Sequence, residues 1–154
     1  MEVSLFEGNA IGQIGEKFVK SIFDIYQISY TTDTKEIIHD EYDILSNGKK
    51  IEVKTARKGL KNDSFQFNGI NPNYNYSFII LIGITSSNVL YHIVPKPYYV
   101  HKDRKHIIDI SINNQKSLVA MNPGGNVNYK LTLNLKDLKP IDDIANELKS
   151  LLMN

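Results

Sequence analysis

The sequence predicts an α/β fold in which a mixed β-sheet stands between an N-terminal and a C-terminal helix. Three observations predict it. Ile11, Ile14, Phe18, Ile22 and Ile25 recur at helical spacing near the start. Residues 76–85 form a continuous β-rich apolar run, the pattern of a strand buried on both faces. Ile141, Ile144, Ala145, Leu148 and Leu152 make a second helical stripe at the end.

The first helix is expected over residues 9–26, with Asn9 as its N-cap. A weak strand follows at 27–31. Strands at 41–45 and 49–55 flank Asn47-Gly48, a strong hairpin signal because both positions of a two-residue turn need positive φ. Residues 64–68 alternate polar and aromatic side chains and form a further strand. The central strand at 76–85 turns at Ser86-Ser87-Asn88 and pairs with 89–94. Pro95 and Pro97 then break the pattern, and 98–118 fits neither period. Asn122-Pro123-Gly124-Gly125-Asn126 is a loop, 130–135 a short strand, and 140–153 the closing helix. Asp142 and Asp143 suit its first turn, where the dipole favours negative charge.

With 154 residues, 42% hydrophobic and 23% charged, the chain suits one domain spanning 1–154 with one core. It has no cysteine, which excludes disulfides and thiolate zinc sites. No apolar run reaches the roughly 18 residues of a membrane span, and no secretory signal is visible, so a cytoplasmic protein without membrane contact is expected. The net charge of +1 is low for a nucleic-acid binder. An enzyme that gathers carboxylates around a metal carries its own negative charge, however.

The informative segment is the hairpin. A two-residue Asn47-Gly48 turn pairs Ser46 with Lys49, which sets Asp43 opposite Glu52 and Glu41 opposite Lys54. Because side chains alternate, one face carries Glu41, Asp43, Lys50, Glu52 and Lys54, and the other buries Tyr42, Ile44, Ile51 and Val53. Opposed Cβ atoms lie roughly 4.5–5.5 Å apart, so two acids there repel unless compensated. A divalent cation compensates them, and magnesium favours carboxylate oxygens. Lys54 shares the face and can stabilise developing negative charge. The plainer reading is a solvated hairpin face in which Lys50 and Lys54 neutralise the acids.

Asp43 followed nine positions on by Glu52-Val53-Lys54, on an Asn-Gly hairpin, resembles the motif of the PD-(D/E)XK nuclease superfamily. Tyr42 stands where the motif's name has proline. The resemblance covers about residues 9–70. It implies a restriction-endonuclease-like fold, a mixed central sheet flanked by helices, and a magnesium-dependent DNA endonuclease in which manganese can substitute. It implies Asp43, Glu52 and Lys54 as catalytic residues, with the metal on Asp43, Glu52 and the Val53 carbonyl. The family places a glutamate on the preceding helix, and Glu16 in Gly15-Glu16-Lys17 supplies one. Glu16 is equally able to pair with Lys20 at i, i+4. Gln66 occupies the strand where some branches use a glutamine, or is an outward polar residue between Phe65 and Phe67.

Arg57, Lys58 and Lys61 follow the motif strand, where the family's chain runs beside the DNA backbone; cations there would displace counterions. Lys102, Arg104, Lys105 and His106 form a second basic cluster. Asparagine reads adenine, so residues 71–76 and 122–129 are candidate groove contacts as well as ordinary loops. Gly8, Gly12 and Gly15 match no phosphate-loop spacing and suit close helix packing. His39, His92, His101 and His106 show no metal-ligand spacing. A restriction-type enzyme cutting both strands implies a possible homodimer matched to DNA symmetry. A Holliday junction resolvase, a repair nuclease, an inactive DNA-binding module and a non-enzymatic interaction protein are the alternatives.

Overall fold

In the computed structural model the described residues are 2–32, 42–73, 75–95, 99–102, 105–121 and 128–153. Glu41, His39, Arg104 and the 122–126 loop, all singled out above, lie outside them. Helix α1 spans Glu2–Ile25. It begins about two turns before Asn9, which is therefore an interior residue and not the cap. Its C-terminus is a Schellman closure: Ile28 N–H donates to Phe23 O at 2.8 Å and Gln27 N–H to Asp24 O at 3.2 Å. Gln27 takes the left-handed conformation, φ 57°, that glycine usually fills. Tied into this closure, 27–31 forms no strand, and only a bridge from Thr31 to Leu45 remains.

Strands β1 (Ile44–Ser46) and β2 (Lys49–Arg57) form the expected hairpin, with Ile44 paired to Ile51 and Ser46 to Lys49. Asn47 at φ 50° and Gly48 at φ 75° make the two-residue turn. Then come β3 (Ser64–Ile70), β4 (Phe78–Ile84), β5 (Val89–Pro95), β6 (Tyr99–Lys102), β7 (Lys105–Ser111), β8 (Asn114–Ala120), β9 (Tyr129–Asn134), β10 (Lys139–Pro140) and α2 (Ile144–Leu152). Within the stretch that fitted neither period, the described residues are mostly strand. Among its described side chains Ile108, Ile110 and Leu118 are buried, and the β7–β8 register shifts between Asp109 and Ser111. The closing helix starts at Ile144, after a 3-10 turn over Ile141–Asp143.

The strands divide into two sheets, ordered β1-β2-β4-β5-β10 and β3-β9-β8-β7-β6. The first is mixed: β2 and β4 run parallel, and its other pairs are antiparallel. Strand β4 is central and buried almost throughout, as its apolar run requires. Both helices cover one face of this sheet, where Val19, Phe23, Ile51, Val53, Ile80, Leu148 and Leu152 share a core. The expectation of a sheet flanked on both sides by helices is corrected here. The second sheet covers the other face, burying Phe65, Phe67, Ile79, Leu81, Leu131 and Leu133. The layers run helices, sheet, sheet. Buried His92 spans the two sheets, its Nε2 2.9 Å from Ile110 O, and burial lowers its pKa. Helix α2 is fixed by Tyr91, whose hydroxyl donates to Glu147 at 2.7 Å, and by Asn47, whose Nδ2 donates to Leu152 O at 2.6 Å. Among the described residues no helix is long and apolar enough to cross a membrane.

Candidate functional site

Strand β2 carries two functions on its two faces. Ile51 and Val53 point into the helix-side core. Glu52 and Lys54, one residue out of phase, point to the other face, near the border with the second sheet. There Lys54 Nζ lies 3.7 Å from Glu52 Oε2, with only 23% and 12% of the two side chains exposed.

Asp43 joins them from just outside β1. The ladder ends at Ile44–Ile51, and Asp43 N–H donates to the same Ile51 carbonyl at 2.9 Å. Its carboxylate Oδ2 then accepts the Val53 N–H at 2.9 Å. The side chain of Asp43 thus stands in for a backbone ladder partner. The expected placement beside Glu52 holds at the level of side chains, with Ile44 and Val53 buried behind, although Asp43 and Glu52 form no ladder pair. Burial of Glu52, then its hydrogen bond with Asp43, push its pKa up to about 9 against the opposing charge of Lys54. Without metal, a proton held between two carboxyls removes their repulsion. A divalent cation is able to replace that proton, so the donor chemistry of Asp43 and Glu52 fits a magnesium ion. The Val53 N–H, one residue from Glu52, ties the Asp43 carboxylate to β2. Among the described residues no group of three or more Asp, Glu, His or Cys side chains assembles to hold a metal.

Glu16 is placed in the helix layer. Its neighbour Gly15 rests on Thr55, which points to the helix side of β2. Lys20 pairs with Glu16 at 3.5 Å, the i, i+4 alternative. Gln66 is exposed, out of phase with buried Phe65 and Phe67, and donates to Asn68 Oδ1 at 2.9 Å. Arg57 and Lys61 are exposed, and Lys58 reaches Asp63 at 3.5 Å. These three lie at and beyond the end of β2, along the strand from the acids. In the second basic cluster, His106 packs edge-on against Tyr129 at 4.8 Å.

The residue that sequence reasoning missed is Gly69. At φ 77° it sits in a register shift of β3, and a Cβ there would stand 3.5 Å from Lys54 Nζ. It borders the lysine with backbone alone. The signal was present as an Asn68-Gly69 dipeptide inside a strand pattern, which marks a bulge or a close approach. No protein-family model, curated protein or solved structure matches this chain.

Proposed function

We propose that this chain is a metal-dependent endodeoxyribonuclease with a restriction-endonuclease-like core, most simply a restriction-type enzyme acting in the cytoplasm. The observation that carries the reading is the convergence of Asp43, Glu52 and Lys54, with the Glu52 pKa pushed up to about 9 beside a second acid. Strongly perturbed, paired carboxyls at a lysine are the signature of a site built for chemistry.

Asp43, Glu52 and the Val53 carbonyl would hold magnesium, or manganese in its place. Bound there, the ion supplies the Lewis acid that makes water nucleophilic near neutral pH and stabilises the leaving oxygen. The chain's own groups do the rest. The Val53 N–H fixes the orientation of Asp43. Lys54 presents its ammonium to the scissile phosphate and stabilises charge that builds there. Arg57, Lys58 and Lys61 follow the DNA backbone from the same strand.

The test is incubation with supercoiled plasmid, linear duplex and a four-way junction, with and without magnesium. Magnesium-dependent cutting of duplex supports the restriction-type reading, and a dimer bound to DNA completes it. Cutting confined to the junction assigns a resolvase, and nicking by a monomer assigns a repair enzyme. DNA binding without cleavage in any arm would reduce the chain to a binding module, and the absence of both overturns the reading.

A further inference from the structure

We infer that Leu60 is a wedge that enters the base stack of duplex DNA a few base pairs from the cut. This rests on the nuclease reading above. Leu60 is fully exposed at the tip of the loop joining β2 to β3. A single exposed leucine is ordinary; its setting is not. Arg57 and Lys61 beside it are also exposed, and Lys58 stands on the same turn. Exposed Ile112, at the turn between β7 and β8, has Asp109, Ser111, Asn113 and Gln115 around it instead.

The loop is also braced. Lys58 N–H donates to Ile84 O and Gly59 N–H to Ser64 O, each at 2.8 Å. Leu135 N–H reaches Asp63 O at 2.8 Å, so both sheets hold its base. Ser64 hydroxyl donates to Asn62 Oδ1 at 3.0 Å, and Gly59 leaves no room for a Cβ beside that oxygen. An apolar tip on a braced loop that carries Arg57, Lys58 and Lys61 against one acid, Asp63 paired to Lys58 at 3.5 Å, matches one partner well. The cations engage phosphates on either side while the leucine leaves water between two base pairs, as apolar wedges do in DNA-kinking proteins. A lone leucine among charges is too small for a protein interface. Six positions separate Lys54 from Leu60, at most about 20 Å at about 3.3 Å per residue, which places the wedge within about six base-pair rises of the cut.

The experiment uses the full chain carrying Lys54→Ala, with magnesium, on duplexes that span the mapped cut and carry 2-aminopurine at successive positions. Unstacking brightens this base. The expected result is an increase of several-fold at one position within about six base pairs of the cut. Leu60→Ala should abolish the increase while DNA affinity changes less than about threefold, because phosphate contacts dominate affinity. Leu60→Met, still an apolar wedge, should keep it. Cleavable DNA that brightens nowhere, or that brightens equally with Leu60→Ala, overturns the wedge and leaves the nuclease standing. If wild type neither binds nor cuts DNA, the nuclease reading falls and the wedge falls with it.

Discussion

Gly15 of α1 rests so closely on Thr55 of β2 that a methyl group at residue 15 would occupy the space of the threonine hydroxyl. Helix and strand meet there through backbone on one side and a β-branched side chain on the other. The Thr55 hydroxyl is buried without a hydrogen-bond partner among the described residues. Gly15→Ala should destabilise the protein by about 1–3 kcal/mol, the cost of overpacking, despite alanine's better helix propensity. Thr55→Ala in the same chain should recover part of the loss. Urea titration of the two single variants and the double checks this, since contacting residues are non-additive.

The Glu52 carboxyl links stability to pH. Its folded pKa, about 9, lies above the ordinary 4.5, so the folded chain keeps a proton that the unfolded chain releases. The stability it contributes is fully present below about pH 4.5 and is lost as pH rises through about 9. Metal-free wild type should therefore lose stability across that window, at no more than about 1.4 kcal/mol per pH unit. Glu52→Gln should flatten the profile. Melting curves in chelator across the range decide it. Magnesium added at the alkaline end should raise the melting temperature of wild type more than that of Glu52→Gln.

Lys54 should matter to rate far more than to binding. Lys54→Ala is expected to lower cleavage by about 10²-fold or more, the scale of one preorganised electrostatic contact. Lys54→Arg should rescue poorly, because a planar guanidinium differs in shape and hydration. The lysine also opposes protonation of Glu52. Single-turnover rates should therefore be compared at saturating magnesium, where a residual weakness of metal binding cannot imitate a lost contact. Cleavage at the wild-type rate would refute the role.

Arg57 and Lys61 are exposed at and beyond the end of β2. Each that contacts a phosphate should contribute about one unit to the slope of log affinity against log salt. Arg57→Ala and Lys61→Ala should each reduce that slope by about 1 and weaken binding evenly across DNA sequences. Fluorescence anisotropy over a salt series measures it. An unchanged slope would place the DNA elsewhere.

The hairpin was legible because local chemistry decides it: Asn47-Gly48 sets the turn, and alternation sets which side chains of β2 share a face. The final helix was legible because its stripe is strict. The second sheet was not, since Phe65, Leu131 and Leu133 need a partner layer that pairs residues far apart in sequence, and no local period reports that. The bulged approach of Asp43 was hidden for a different reason. Its carboxylate replaces a ladder carbonyl at Val53, a choice made in three dimensions. Glu16 shows the limit of helical position alone, which fits an i, i+4 partner and a metal ligand equally well.

Strand β3 leaves the first sheet between two parallel neighbours, β2 and β4, to pair with β9 in the second. The parallel ladder therefore encloses a segment whose own partner is made much later in the chain. The second sheet is not complete until residue 65 has met residue 133. Such distant pairings carry a large loop-closure cost before they return any contact energy, which slows the search for the native state. The expected behaviour is slow, all-or-none refolding, in which the carboxyl pair and the second sheet appear in one kinetic phase.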